Sequence, residues 1–145
     1  MAATVQEIAE FIAKVPLFRD LKPRHIEKIA KRMRERDYET GDVIVEQGVM
    51  GIGLFIMVRG TSRVIRSLGD GSTRELDTLE RFNFFGELSL LDDHVRTASV
   101  VANEPVKCLV LAKLDFLDEL DDEPEMAVPM LKELAHRFRR IITNM

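Results

Sequence analysis

Two side chains nine positions apart, Glu87 and Arg96, suit opposite ends of a small phosphorylated sugar. An ionised carboxylate only accepts hydrogen bonds, so Glu87 matches sugar hydroxyls rather than phosphate. The Arg96 guanidinium is a permanent cation with a planar fork of donors, which matches a phosphate. Gly86 stands directly before the acid and can take backbone conformations closed to other residues. The run Glu87-Leu88-Ser89-Leu90-Leu91 is enough for one helical turn. The first N–H groups of such a turn have no internal partner and favour an anion.

These residues interrupt a β-type region. From Arg36 to Leu111, short β-type runs alternate with glycine-containing turns. Seven strands are expected: 36–39, 43–47, 54–58, 62–68, 73–79, 98–103 and 106–111. Gly69-Asp70-Gly71 reads as a hairpin tip. Many short strands at regular spacing suggest a sandwich or barrel. Leu54 to Val58 is apolar without a break, as for a strand covered on both faces. The single helical turn at Glu87–Leu91 breaks the series at the candidate site.

Helices are expected on either side. Thr4 can cap a first helix, with Glu7 as its capping-box partner and Ile8, Phe11 and Ile12 as its apolar stripe. Lys22-Pro23 opens a second helix, with Ile26, Ile29, Ala30 and Met33 on one face. Its other face is basic: Lys22, Arg24, Lys28, Lys31, Arg32 and Arg34. That face is either solvated or a dock for an acidic partner. After Leu111, Leu114, Leu117 and Leu120 mark a short helix that an acidic run closes. Pro124 can open the last helix. Its stripe is Met126, Met130, Leu131, Leu134, Phe138, Ile141 and Ile142, and Pro129 is expected to kink it. The kink is either a passive bend or a hinge.

The chain has 145 residues, 32% charged and 46% hydrophobic, with a formal net charge of −4. Length and composition fit one globular domain, 1–145: helices over 1–35, a β-roll over 36–112, and helices over 113–145. The net acidity argues against general nucleic-acid binding. Cys108, in the apolar run Val106 to Leu111, reads as a buried inert thiol rather than a redox sensor. No apolar stretch approaches the ~18 residues that span a bilayer. The N-terminal residues lack a secretory pattern, so a cytoplasmic protein without membrane insertion is expected. His25, His94 and His136 are isolated, which argues against a cupin-type metal enzyme, and no metal is expected. Neither G-x-S-x-G nor a P-loop motif occurs, so no enzyme is expected.

The block FGELSLLDDHVRTASV (85–100) resembles the phosphate-binding cassette of the cyclic nucleotide-binding domain family. Thr40 to Gly48 is similar to that family's first hairpin, Leu54 to Gly60 to its next strand, and Leu134 to Arg140 to its closing helix. Pro16-Leu17-Phe18 resembles the family's turn that packs on the barrel. The resemblance implies a mainly β fold with flanking helices: a jelly roll with N-terminal helices, a short cassette helix and C-terminal lid helices. It implies that Arg96 and the N–H groups near Leu88, Ser89 and Thr97 hold a cyclic phosphate. Glu87 would take the ribose 2′-hydroxyl, Gly86 would admit the sugar, Ala98 completes the motif, and Arg137 would reach the base. Leu134 and Phe138 would lie near that contact or simply pack. The ligand implied is cyclic AMP, with cyclic GMP as the alternative because Thr97 offers a hydroxyl.

Two positions depart from the pattern. Val95 replaces a usual proline. Phe82 replaces a common glycine, and Asn83 beside it can itself take a left-handed conformation. A sensor that moves its last helix is expected, with an effector domain or protein of unknown identity. The rival is the sensing and dimerising part of a catabolite-activator-type transcription regulator. With no helix-turn-helix after the last helix, the chain alone is expected not to contact DNA. The remaining faces of the last helix are charged, so a monomer or weak dimer is expected.

Overall fold

The computed structural model describes residues 2–87, 91–92 and 94–145. They fall into two units: residues 33–113, and residues 1–32 together with 114–145.

The first unit is a β-roll. Its strands are β1 (Arg34–Tyr38), β2 (Val43–Val45), β3 (Gly53–Arg59), β4 (Ser62–Ser67), β5 (Thr73–Leu79), β6 (Phe84–Phe85), β7 (Ser99–Ala102) and β8 (Val106–Ala112). They form two antiparallel four-stranded sheets, ordered β1-β8-β3-β6 and β2-β7-β4-β5. All seven expected strands are present, shifted by a residue or two at their ends. The eighth, β6, went unforeseen because two residues show no alternation to read. Its register pairs Phe85 with Phe55 and Phe84 with Ile56. The core holds Ile44, Phe55, Met57, Leu79, Phe85, Val100, Ala102, Val106 and Cys108. Phe55 and Phe85 stack, with ring centroids 5.1 Å apart. β3 is buried from Gly53 to Met57, as its unbroken apolar run requires. Burial pushes the Cys108 thiol up to about 12. Such a thiol carries almost no thiolate at neutral pH, which fits the inert reading.

The turn before β6 shows which residue takes the left-handed conformation. Phe82, not Asn83, takes the left-handed conformation, with φ 73°. The turn is pinned by two backbone bonds across it, Phe82 N–H to Met57 O and Met57 N–H to Asn83 O, both 2.9 Å. The Asn83 side chain accepts from the Glu80 N–H at 2.9 Å. Asn83 is therefore spent on holding the turn, and Phe82 bears the positive φ. A Cβ there costs about 1–2 kcal/mol. Comparing Phe82→Ala with Phe82→Gly isolates that cost, since both lose the ring. The glycine variant should be the more stable by about 1 kcal/mol in urea unfolding, despite its freer unfolded chain. Equal stabilities would show that the turn is unstrained.

The second unit is helical: α1 (Val5–Ile12), α2 (Pro23–Arg32), α3 (Lys113–Asp122, its first residue grouped with the roll), a 3-10 turn (Pro124–Met126) and α4 (Ala127–Thr143). α1 starts with the expected capping box. The Glu7 N–H donates to Thr4 Oγ1 and the Thr4 N–H to Glu7 Oε1, both at 3.1 Å. Pro23 is the first residue of α2, where its missing N–H costs nothing.

The basic face of α2 is neither bare nor free for another protein along most of its length. The acidic run that follows the roll pairs with it. Arg32 donates to Asp115, Asp118 and Glu119 at 3.1, 2.6 and 2.8 Å. Lys28 donates to Asp122 at 2.8 Å and Glu123 at 3.3 Å. Arg24 pairs with Glu123 and Glu125, and the buried His25 lies 2.9 Å from Glu125. The hydrogen bond that Arg32 donates to Asp118 pushes its guanidinium up, and the one from Lys28 holds Asp122 below the usual carboxylate range. The spacing of Arg24, Lys28 and Arg32 is one helical turn each, so a single face of α2 meets the acids.

α4 corrects two further expectations. Pro124 opens the short 3-10 turn, and Pro129 falls in the first turn of α4. N–H groups there have no intrahelical acceptor, so Pro129 removes no bond and needs no kink. The apolar stripe also divides. Met126 and Met130 are buried, but Leu131, Phe138, Ile141 and Ile142 are 60%, 64%, 60% and 52% exposed.

Candidate ligand site

The residues that bracket the cassette converge at one end of β3. Gly86 follows β6 with φ +87°, a conformation that demands glycine. A Cβ built on Gly86 would lie 2.4 Å from Arg96 Nη1 and 2.6 Å from the Gly53 carbonyl oxygen. The backbone and the guanidinium are therefore in close contact. Arg96 Nη2 donates to that same Gly53 carbonyl at 2.9 Å. The guanidinium carbon lies 5.9 Å from the centre of the Phe55 ring, within cation–π range.

The backbone of Arg96 is fixed as firmly as its side chain. Its N–H donates to Val49 O at 2.9 Å, and its carbonyl accepts from the Gly48 N–H at 2.8 Å. Beside this, Val95 bridges to Met50. The bridge orders the backbone before Arg96 where proline would have restricted it. Ser99 Oγ accepts the Gln47 N–H at 2.8 Å, tying β7 to the same loop. Lys113 Nζ donates to Asp92 O at 2.9 Å.

The electrostatics of Arg96 are unusual. Burial pulls its pKa down, and the Glu87 carboxylate partly offsets this. The guanidinium remains charged, because an arginine side chain does not deprotonate in proteins. Its Nε is buried and, among the described residues, has no hydrogen-bond partner. A buried charge that is incompletely paired is costly. An anion that accepts from the fork would remove much of that cost. Glu87 is half-buried and close enough to Arg96 for their charges to interact.

Of the residues expected to form the site, Gly86, Glu87 and Arg96 come together here. Thr97 is exposed and Ala98 half-buried, both just before β7. Leu88 and Ser89 lie outside the described residues, as does most of the expected cassette helix. Arg137 is half-buried on α4, in the helical unit. Gly53, Phe55 and the Gly48–Val49 backbone went unforeseen. They hold Arg96 through carbonyls, an N–H and a ring face, which no side-chain motif announces.

A family model described as the cyclic nucleotide-binding domain matches residues 35–123, a span that contains this whole arrangement. The chain belongs to the cyclic nucleotide-binding domain family. The cyclic nucleotide-binding domain is 36% identical over 106 residues to a cAMP-dependent protein kinase regulatory subunit of Blastocladiella emersonii, covering 73% of this chain and 26% of that protein. It is 36% identical over 118 residues to the cGMP-dependent protein kinase egl-4 of Caenorhabditis briggsae, covering 80% of this chain and 16% of that one. The chain thus spans about a quarter or less of these two relatives. Among solved structures, the N-terminal domain of a transcriptional regulator from Streptomyces coelicolor A3(2) matches with TM-score 0.80 and 30% identity, covering 93% of this chain and 94% of that one. The fold expected from the sequence, a β-roll with flanking helices, is the observed one. Among the described residues, no helix is long and apolar enough to cross a membrane.

The residues fit the phosphate of such a ligand. Among the described residues the Arg96 fork has an unmatched buried donor, and Gly86 puts no side chain beside it. What this arrangement can do chemically is bind. It offers a cation for phosphate and an acceptor for hydroxyls.

Proposed function

We propose that this domain is a non-catalytic, cytoplasmic sensor that binds cyclic AMP and passes the event to an effector by moving α4. The observation that carries the reading is the half-buried Arg96 fork, held against Gly86, with its buried Nε unmatched among the described residues. In this reading Arg96, with the N–H groups of Leu88, Ser89 and Thr97, takes the cyclic phosphate. Glu87 takes the ribose hydroxyl, and Ala98 packs beside them. Arg137 is the base contact that the resemblance implies. Coupling follows because two positions of α4 differ in affinity for the ligand. The junction between the 3-10 turn and α4, at Met126–Ala127, is where α4 would pivot. The effector is a further domain or another protein, and the domain itself is a monomer or weak dimer that neither enters a membrane nor contacts nucleic acid.

Cyclic GMP is the second reading. The exposed Thr97 can present its hydroxyl to a guanine amino group, and one relative is named as a cGMP-dependent kinase. A melting experiment tests both. A ligand at 100 times its Kd stabilises by about 2.7 kcal/mol. That corresponds to a shift of roughly 5–10 °C for a domain of this size. Cyclic AMP should give this shift, cyclic GMP a smaller one, and 5′-AMP little. A larger shift with cyclic GMP selects the second reading. No shift with either at millimolar concentration rejects the sensor.

A further inference from the structure

Glu133 of α4 is only 6% exposed. Among the described residues no hydrogen bond reaches its carboxylate, and the one cation near it, Arg19 Nη2, stands off at 3.9 Å. A buried carboxylate without a donor is costly. Glu119, the other buried acid of the helical unit, accepts from Arg32 Nε at 2.8 Å. Glu133 has no such bond, yet it borders open space. It lines a groove of about 440 Å³ with Pro16, Arg19, His136, Arg139 and Arg140. That volume lies within the range of small-ligand sites, about 300–1,000 Å³.

Helix periodicity builds one wall of the groove. Glu133, His136 and Arg140 recur at steps of three and four residues, so they share a face of α4. Arg139 stands about 100° round the helix from Arg140. Arg19 joins them from the turn between α1 and α2. Among the described residues His136, Arg139 and Arg140 form no ion pair, whereas Arg24, Lys28 and Arg32 of α2 are each met by acids of the same chain. Arginines near a helix C-terminus are favoured by its dipole and need no ligand. The dipole does not account for Glu133. A bare cation placed on Glu133 would be repelled by the arginines, and a simple anion placed on the arginines would face Glu133. A ligand that satisfies both carries a cationic donor and anions together. Three arginines against one carboxylate leave the groove net positive, so the anions of that ligand should outnumber its cation.

We infer that this groove binds a small amino dicarboxylate, the chemistry of an acidic amino acid. Its ammonium donates to Glu133, and its two carboxylates accept from the arginine forks. The site lies wholly within the helical unit and does not rest on the nucleotide reading.

Titration calorimetry of the full chain with three probes tests this. L-Glutamate carries an ammonium and two carboxylates, glutarate lacks the ammonium, and 4-aminobutyrate lacks one carboxylate. L-Glutamate should bind at least about tenfold more tightly than either, since a charge-assisted bond is worth about a factor of ten or more. Glu133→Gln should remove most of the preference over glutarate, because a neutral amide holds an ammonium less tightly than a carboxylate does. Arg139→Gln/Arg140→Gln should weaken L-glutamate at least about tenfold while the far-UV spectrum stays unchanged. Both arginines are exposed, so this double variant decides the matter even if Glu133→Gln fails to fold. Equal binding of L-glutamate and glutarate would make the groove a plain basic patch and overturn the proposal. So would a preference for L-glutamate that Glu133→Gln leaves intact, parental affinity in the arginine double variant, or no binding of any probe at millimolar concentration.

Discussion

Arg96→Ala lowers the affinity for cyclic AMP at least roughly tenfold to a hundredfold in calorimetry. The lost bonds are charge-assisted, each worth about 1.5–3 kcal/mol, and each 1.4 kcal/mol is a factor of about ten. The same change should leave the ligand-free protein nearly as stable as the parent, within about 1 kcal/mol. Among the described residues, Arg96 makes one side-chain hydrogen bond, to Gly53, and its buried Nε has no partner. What its removal loses in that bond it regains in desolvation. Arg96→Lys should recover only part of the affinity, because a point charge cannot reproduce the fork. The split between affinity and stability is the informative result. Parental affinity in Arg96→Ala would mean that the cassette does not hold the phosphate. A large loss of stability with unchanged affinity would make Arg96 a structural residue.

Gly86→Ala should damage both stability and binding. Its φ of +87° costs an alanine about 1–2 kcal/mol. The added Cβ also meets the Gly53 carbonyl oxygen at 2.6 Å, and backbone yields less readily than a flexible side chain. The guanidinium at 2.4 Å can move aside, but only by giving up the position that suits the phosphate. The expected cost is about 2 kcal/mol or more, a fall in melting temperature of roughly 4–8 °C, together with at least about a tenfold loss of affinity. Gly71→Ala is the control. Gly71 has φ +91°, and a Cβ added there would meet nothing within 4 Å, so only the backbone cost applies. It should lose about 1 kcal/mol and keep its affinity. If both variants lose the same stability and neither loses affinity, the contact between Gly86 and Arg96 has no part in binding.

The acidic run from Asp115 to Glu125 shows how far linear reading reaches. Arg24, Lys28 and Arg32 recur at one helical turn, and the acids were equally visible in the chain. Nothing local joins the two, because more than 80 residues separate Arg32 from Asp115. Folding brings them together and turns an ambiguous basic face into a set of ion pairs. Pro129 teaches the opposite lesson. Whether a proline kinks a helix depends on where the helix begins, and the 3-10 turn at Pro124–Met126 moved that start by three residues.

Local chemistry determined the elements and the residues expected to form the site. Alternation and glycine punctuation placed seven strands, the Thr4–Glu7 pair placed a helix start, and the Gly86–Glu87 to Arg96 spacing marked the site, because each signal lies within a short stretch of chain. Tertiary structure alone decided what surrounds that site. The Gly53 carbonyl, the Phe55 ring and the Gly48–Val49 backbone reach Arg96 from segments 41 to 48 residues away, through groups common to most residues of their kind. It also decided which apolar residues of α4 are buried. Periodicity shows that a helix has an apolar face; only the packing of other elements shows how much of that face is covered.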